Sequence, residues 1–207
     1  MKFAGLSGGI GAGKSTVAAR LAGRGAVVID VDLLSRELQQ PGQPVFQAMV
    51  DEWGTAILSG DGTLDRQSMA GIVFTHPAEM AKLMAMTTPA IENAIYERAE
   101  PFHDTDTVVI LESALLAGGR LMYGLTGLVM VDVPVDVAIE RLVNGRGMSE
   151  ADARARLANQ PDRETRLERA DFIVDNSGSP ADLDDQIEMA WTWLWTLPDS
   201  HVERVAR

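Results

Sequence analysis

The sequence predicts an α/β fold on a five-stranded parallel, doubly wound sheet, and two observations carry that reading. Short apolar runs recur along the chain, at residues 3–6, 26–29, 107–111, 128–131 and 170–174, separated by stretches of helical period. Strands alternating with helices need crossover connections, and crossovers make parallel sheets. The first run also opens directly into Gly8-Gly9-Ile10-Gly11-Ala12-Gly13-Lys14-Ser15-Thr16, and a helix over 16–22 leaves it. Glycine, four residues, then Gly-Lys-Ser/Thr is the phosphate-binding P-loop pattern, here without a mismatch. Glycines let successive N–H groups turn toward an anion, and the following helix adds its positive end. In that pattern Lys14 reaches the β- and γ-phosphates of ATP and the Ser15 hydroxyl ligates Mg²⁺.

Gly23-Arg24-Gly25 ends the first helix, and the second strand runs into Asp30-Val31-Asp32. Ligands of open α/β sheets sit beyond the carboxyl ends of strands, so both aspartates arrive near the chemistry. Asp30 is read as the cap of a helix over 33–40 and Asp32 as the chemical group. Pro41-Gly42-Gln43-Pro44 closes that helix.

Helices follow over 45–53 and 67–74, with a turn at Gly60-Asp61-Gly62 between them. Pro77 opens another helix, Pro89 breaks or kinks it, and Ile91, Ala94 and Ile95 continue its apolar stripe to about residue 99. Residues 43–104 therefore read as a mostly helical, acceptor-binding insertion. Residues 1–42 and 105–207 form the nucleotide-binding core.

The third strand ends at Glu112 and the fourth at Asp132. An acid closing an apolar strand steadies Mg²⁺ or its waters in P-loop proteins. Glu112 is read as the functional acid and Asp132 as a structural one. A helix over 135–142 is interrupted by Asn144-Gly145-Arg146-Gly147, and Ser149 with Asp152 resembles a capping box. An arginine-bearing helix after glycines suits a closing lid over about 144–160 that brings positive charge to the transferring phosphoryl group. After the fifth strand and Asp175-Asn176-Ser177-Gly178, a helix over 180–197 closes the chain. Trp191, Trp193 and Trp195 alternate along it, so they do not share one face.

Bulk properties narrow the function. A chain of 207 residues, 46% hydrophobic and 23% charged, buries a substantial core. No apolar run approaches the roughly 20 residues of a membrane-spanning helix. Lys2 and a short strand at the start argue against a cleaved signal peptide. With no cysteine there is neither a disulfide framework nor a thiolate metal site, which suits the cytoplasm. A net charge of -12 argues against a nucleic-acid partner and requires local positive charge for anionic small-molecule substrates. Arg141, Arg146, Arg154, Arg156, Arg163, Arg166 and Arg169 supply it. Most of them are individually expected to pair with Glu150, Asp152, Asp162, Glu164 and Glu168 on a solvated surface. A monomer or weak homo-oligomer is expected.

From about Lys2 to the final helix the chain resembles the dephospho-CoA kinase family. The resemblance rests on the P-loop, Val28-Ile29-Asp30-Val31-Asp32, Pro41-Gly42, Asp61-Gly62-Thr63-Leu64-Asp65-Arg66 and Val73-Phe74. It continues through Gln160, Arg163, Ala170-Asp171 and Val174-Asp175-Asn176-Ser177-Gly178. It implies transfer of the γ-phosphoryl group of ATP to the ribose 3′-hydroxyl of dephospho-CoA, with Mg²⁺. It further implies Asp32 as catalytic base, Lys14 and Arg146 as catalytic partners, and ATP contacts at Gly9 to Thr16, Arg146 and Asn176. Acceptor contacts are implied at Asp32, Arg66, Thr88, Ile91 and Leu115, and metal contacts at Ser15 and Glu112. Two segments depart from the family pattern. Thr88-Pro89-Ala90-Ile91 stands where His-Pro-x-Ile is usual, and Ala114-Leu115-Leu116-Ala117-Gly118 where Pro-Leu-Leu-Phe-Glu is usual. Both lie on the acceptor side in the family. A kinase for another nucleoside-like hydroxyl and a catalytically weak ATP-binding regulator are the alternative readings.

Overall fold

The computed structural model describes residues 1–118 and 124–202. Five strands form one sheet: β1 (Lys2–Gly8), β2 (Val27–Asp30), β3 (Val108–Glu112), β4 (Gly127–Asp132) and β5 (Phe172–Asp175), in the order β2-β3-β1-β4-β5. β1 pairs in parallel with β3 and β4, and β4 with β5, with Ala4 opposite both Ile110 of β3 and Gly127 of β4, and Val131 opposite Val174. The glycine-rich loop thus leaves the central strand, and β3 and β4 on either side end in Glu112 and Asp132. β1, β3 and β4 are almost wholly buried, as strands covered on both faces must be.

The chain divides into two compact units. The first holds Met1–Ile29 and, among the described residues, the chain from 99 to 202, and the second Asp30–Arg98. In the first unit, helices α1 (Lys14–Ala22), α6 (Val135–Arg146), α7 (Glu150–Ala158), α8 (Arg163–Glu168) and α9 (Pro180–Leu194) accompany the sheet. Leu6, Val17, Leu21, Ile110, Val129 and Ile187 are at the centre of its core, all fully buried. Burying a side chain of this size contributes about 1.5–3 kcal/mol. Trp193 lies 5.3 Å from the ring of Phe172, while Trp191 and Trp195 meet edge to face. Residues four apart share a helix face and the middle one does not, so the three tryptophans split as their spacing requires.

The second unit is helical, with α2 (Val31–Leu38), α3 (Pro44–Trp53), α4 (Arg66–Val73) and α5 (Pro77–Ala99). Met49, Ile57, Met69 and Val73 form its separate core. α5 is one 23-residue helix that continues through Pro89, so the proline does not break it. Proline removes one backbone donor and leaves the rest of the ladder intact. Thr87 Oγ1, two residues earlier, donates to the Leu83 carbonyl at 2.8 Å.

α6 is longer than expected. It runs on to Arg146, with Asn144 and Gly145 inside it, and only Gly147, at φ 65°, ends it. At Ser149 the cap is half a capping box: its hydroxyl accepts the Asp152 N–H and donates to the Asp152 carboxylate. The complete reciprocal box is at the start of α9, between Ser179 and Asp182.

Candidate active site

Gly13 caps α1 in the left-handed region at φ 89°, and Gly11 has φ 80°. Side chains rarely adopt either conformation, and at Gly13 a Cβ would also collide with Asn176 Nδ2. The turn is closed by Ala12 N–H donating to the Gly9 carbonyl at 3.1 Å and Thr16 N–H to Gly13 at 3.0 Å. Lys14 Nζ folds back to donate to the Gly8 carbonyl at 3.2 Å. Ser15 and Thr16, at the first turn of α1, are exposed.

Three further segments hold the loop. Asn176, buried after β5, donates through Nδ2 to the Ala12 carbonyl at 2.7 Å. Arg141 of α6 donates in turn to the Asn176 carbonyl at 2.7 Å. Gln160, just past α7, accepts the Ile10 N–H at 3.0 Å. Ile10 also packs with Leu142, Ala153 and Leu157, so the expected lid helix α7 rests on α6 through the fully buried Ala153.

The arginines sort differently from a solvated face. Arg154 pairs with Glu150 as expected. Arg163 instead grips the carboxylate of Asp132 with two of its nitrogens, and these hydrogen bonds raise its pKa above the usual guanidinium value. That bond gives Asp132 the structural duty expected of it. Arg166 is buried on α8 and donates to the Pro161 carbonyl at 2.5 Å. Its Nη2 is 3.2 Å from where a Cβ on Gly9 would stand, so the guanidinium lies against the phosphate loop. Burial above all lowers its pKa, while Asp132 and Asp162 act in the opposite sense. A shallow hollow lined by Gly9, Ile10, Ala12, Val133, Leu157 and Arg166 adjoins the loop.

Gly9 to Thr16 and Asn176 are therefore brought together, joined by Gln160, Arg141 and Arg166, to which sequence reasoning gave no loop contact. Gln160 and Arg166 follow α7 by a few residues, and only folding of α7 and α8 carries them back to the loop. Arg146 ends α6, exposed, and its side chain makes no hydrogen bond or ion pair among the described residues. Glu112, half-buried, ends β3 opposite Leu6 of β1. Leu115 is exposed in the short 3₁₀ turn Ala114–Gly118, beside the fully buried Leu116.

The other expected residues belong to the second unit. Asp30 caps α2, accepting the Leu33 N–H at 2.9 Å, which leaves Asp32 exposed in its first turn. α2 begins at Val31, two residues earlier than expected, because Asp30 caps from the position before it. Asp65 caps α4, accepting the N–H groups of Gln67 and Ser68, and Arg66 is the first residue of that helix. Thr88 and Ile91 are half-buried on α5.

A glycine-rich loop between the central strand of a parallel sheet and a helix, closed over a lysine, places the chain among P-loop nucleotide-binding proteins. Residues 2–182 match the model of the dephospho-CoA kinase family. The chain belongs to that family. It is 40% identical over 190 residues to the dephospho-CoA kinase of Thermobifida fusca, spanning 92% of this chain and 94% of the relative. It is 42% identical over 192 residues to that of Streptomyces avermitilis, spanning 92% of each. Among solved structures, a Thermus thermophilus protein superposes with a TM-score of 0.81 at 28% identity, covering 93% of this chain and 97% of that one. The dephospho-CoA kinase of Campylobacter jejuni shares the fold, with a TM-score of 0.62 at 22% identity over the same shares.

Proposed function

We propose that this protein transfers the γ-phosphoryl group of ATP to the 3′-hydroxyl of the ribose in dephospho-CoA, releasing coenzyme A and ADP. The observation that carries the reading is the phosphate loop itself, with Lys14 in place and its backbone held by Asn176 and Gln160, in a chain of this family. A loop already ordered by Asn176 and Gln160 needs little rearrangement to hold phosphates, and preorganised N–H groups are where phosphoryl transfer gains most of its rate.

In this reading the amides of Gly9 to Thr16 surround the phosphates of ATP, and Lys14 leaves the Gly8 carbonyl to meet the β- and γ-oxygens. Asp32 orients the acceptor hydroxyl and takes its proton. The hydroxyl oxygen then bonds to the γ-phosphorus as the bond to the β–γ bridging oxygen breaks, and ADP leaves with that electron pair. Arg146, exposed at the end of α6, is assigned to the transferring group and Asn176 to the nucleotide side. Arg66, Thr88, Ile91 and Leu115 are assigned to the acceptor. The Ser15 hydroxyl and Glu112 carboxylate are hard oxygen donors of the kind Mg²⁺ takes. Among the described residues no group of three or more metal-ligating side chains forms, which fits an ion whose other ligands are phosphate and water. Mg²⁺ would neutralise charge on the β- and γ-phosphates.

Among the described residues no helix is long and apolar enough to cross a membrane. The cysteine-free sequence accords with a cytoplasmic reaction. The test is a coupled ADP-release assay with ATP and Mg²⁺, with and without dephospho-CoA. Acceptor-dependent turnover is expected, with coenzyme A as product. ATP binding without turnover would favour a regulator, and turnover only on another nucleoside would favour a divergent kinase.

A further inference from the structure

Asp132 and Arg166 are the two charged side chains buried among the described residues, at 7% and 8% exposure. They do not pair. Both oxygens of Asp132 accept from Arg163, and among the described residues Arg166 forms no ion pair. Its Nη1 donates instead to the neutral carbonyl of Pro161 at 2.5 Å. Its Nη2 stands beside Gly9, 3.2 Å from where a Cβ there would be, and Gln160 Oε1 is 3.5 Å from the same point. A guanidinium keeps its proton at any ordinary pH, so this is a fixed positive charge. Enclosing a cation without a counter-charge is unfavourable, and an anion bound beside it offsets that penalty.

The position of Arg166 along the loop decides which part of an anion it faces. Lys14 Nζ, the group that meets the β- and γ-phosphates in a P-loop, is bonded to the carbonyl of Gly8, the neighbour of Gly9. Arg166 therefore stands at the terminal-phosphate end. Asn176 and Arg141 hold the other end, with Asn176 Nδ2 on the Ala12 carbonyl and Arg141 Nη1 3.8 Å from the Cβ position of Gly13. Of these two arginines only Arg166 is enclosed. An enclosed charge is screened less by water and salt, so it acts through the loop without touching phosphate.

We infer that Arg166 is a positioning residue for the terminal phosphate of ATP: fixed behind Gly9 by the Pro161 carbonyl, it makes the loop prefer a nucleoside triphosphate to a diphosphate. The inference rests on the proposed function for ATP as the nucleotide, and deepens it by giving the loop a reason to hold substrate and release product. Once the γ-phosphoryl group has left, the negative charge nearest Gly9 has left with it. Gln160 supports the same arrangement by accepting the Ile10 N–H, which fixes the peptide joining Gly9 and Ile10 beside the guanidinium.

The experiment measures dissociation constants of ATP and ADP, each with Mg²⁺ and without acceptor, by calorimetry on wild type, Arg166→Gln and Arg166→Lys. Glutamine is neutral and keeps an N–H for the Pro161 carbonyl, whereas lysine keeps the charge and loses the planar fork. Thermal unfolding checks that each variant folds. Arg166→Gln should weaken ATP about 10-fold and ADP by no more than about threefold, as for removal of one enclosed charge facing another. Arg166→Lys should hold the ratio of ATP to ADP affinity within about threefold of wild type. A side chain that only fills space would lower the unfolding temperature when replaced and leave that ratio alone. A folded Arg166→Gln variant with the wild-type ratio overturns the inference, as does an Arg166→Lys variant that loses the ratio as glutamine does. If Arg166→Gln does not fold, the ratio in Arg166→Lys decides. Wild type that prefers ATP yet turns over no dephospho-CoA would sink the proposed reaction and not this assignment.

Discussion

The phosphate loop and the helical unit of Asp30–Arg98 meet charge by different means. In the loop the main chain is the ligand, and side chains such as Asn176 and Gln160 serve to hold it. In the helical unit the helices are a frame, and the charge is on side chains such as Asp32 and Arg66. A site made of backbone admits few sequences, because Gly11 and Gly13 need left-handed conformations and Gly13 has Asn176 where a Cβ would go. A site made of side chains should tolerate exchange better, and Thr88, expected on the acceptor side, offers the place to test it. Substitutions should therefore act sharply on chemistry and nucleotide on one side, and gradually on the acceptor on the other.

The largest effect expected is at Asp32. Asp32→Asn keeps the shape and removes the basicity, so kcat should fall by about 10²- to 10⁴-fold while ATP still binds. Stopped single-turnover kinetics with calorimetric ATP binding would check it, and wild-type transfer would end the base assignment. Lys14→Ala comes next, with a loss in kcat/KM on the order of 10²–10³-fold, as for other preorganised contacts to a developing anion. Its fold should persist, since the side chain makes a 3.2 Å bond to a carbonyl of its own loop.

Arg146→Ala sharpens the contrast within the nucleotide side. With the arginine exposed at the end of α6, its contact to phosphate is expected only on closure, and kcat should drop by about 10- to 100-fold. A rise in the ATP KM with normal kcat would make it a ground-state contact. Asp132→Ala should cost about 1–2 kcal/mol of stability in denaturant unfolding, because Asp132 is buried and Arg163, half-exposed, turns to solvent when released. The smallest effect is at Thr88. Thr88→His should shift the dephospho-CoA KM by about 2- to 10-fold and leave ATP affinity alone, measured by steady-state kinetics with each substrate varied.

How much of this was legible in the chain depends on the range of the interactions. The P-loop, the five strands, the Asp30 cap and the acids closing β3 and β4 follow from spacings of a few residues, and a spacing of that size is written in the sequence. The same local reasoning began α2 two residues late and stopped α6 short of Asn144. Pro89 and Gly145 are unfavourable in a helix, by about 3 and 1 kcal/mol, yet α5 continues past the one and α6 past the other. The fates of the arginines depended on folding. Arg163 has acids beside it in sequence and takes Asp132 from 31 residues away. Arg166 and Gln160 reach the loop from some 150 residues away, and Asn176 from 164. Local propensity selects elements and caps because it acts within a turn or two of helix. Which buried polar group finds which partner is decided by the sheet order and the helix crossings, since a desolvated guanidinium or amide takes the acceptor that the fold brings within about 3 Å.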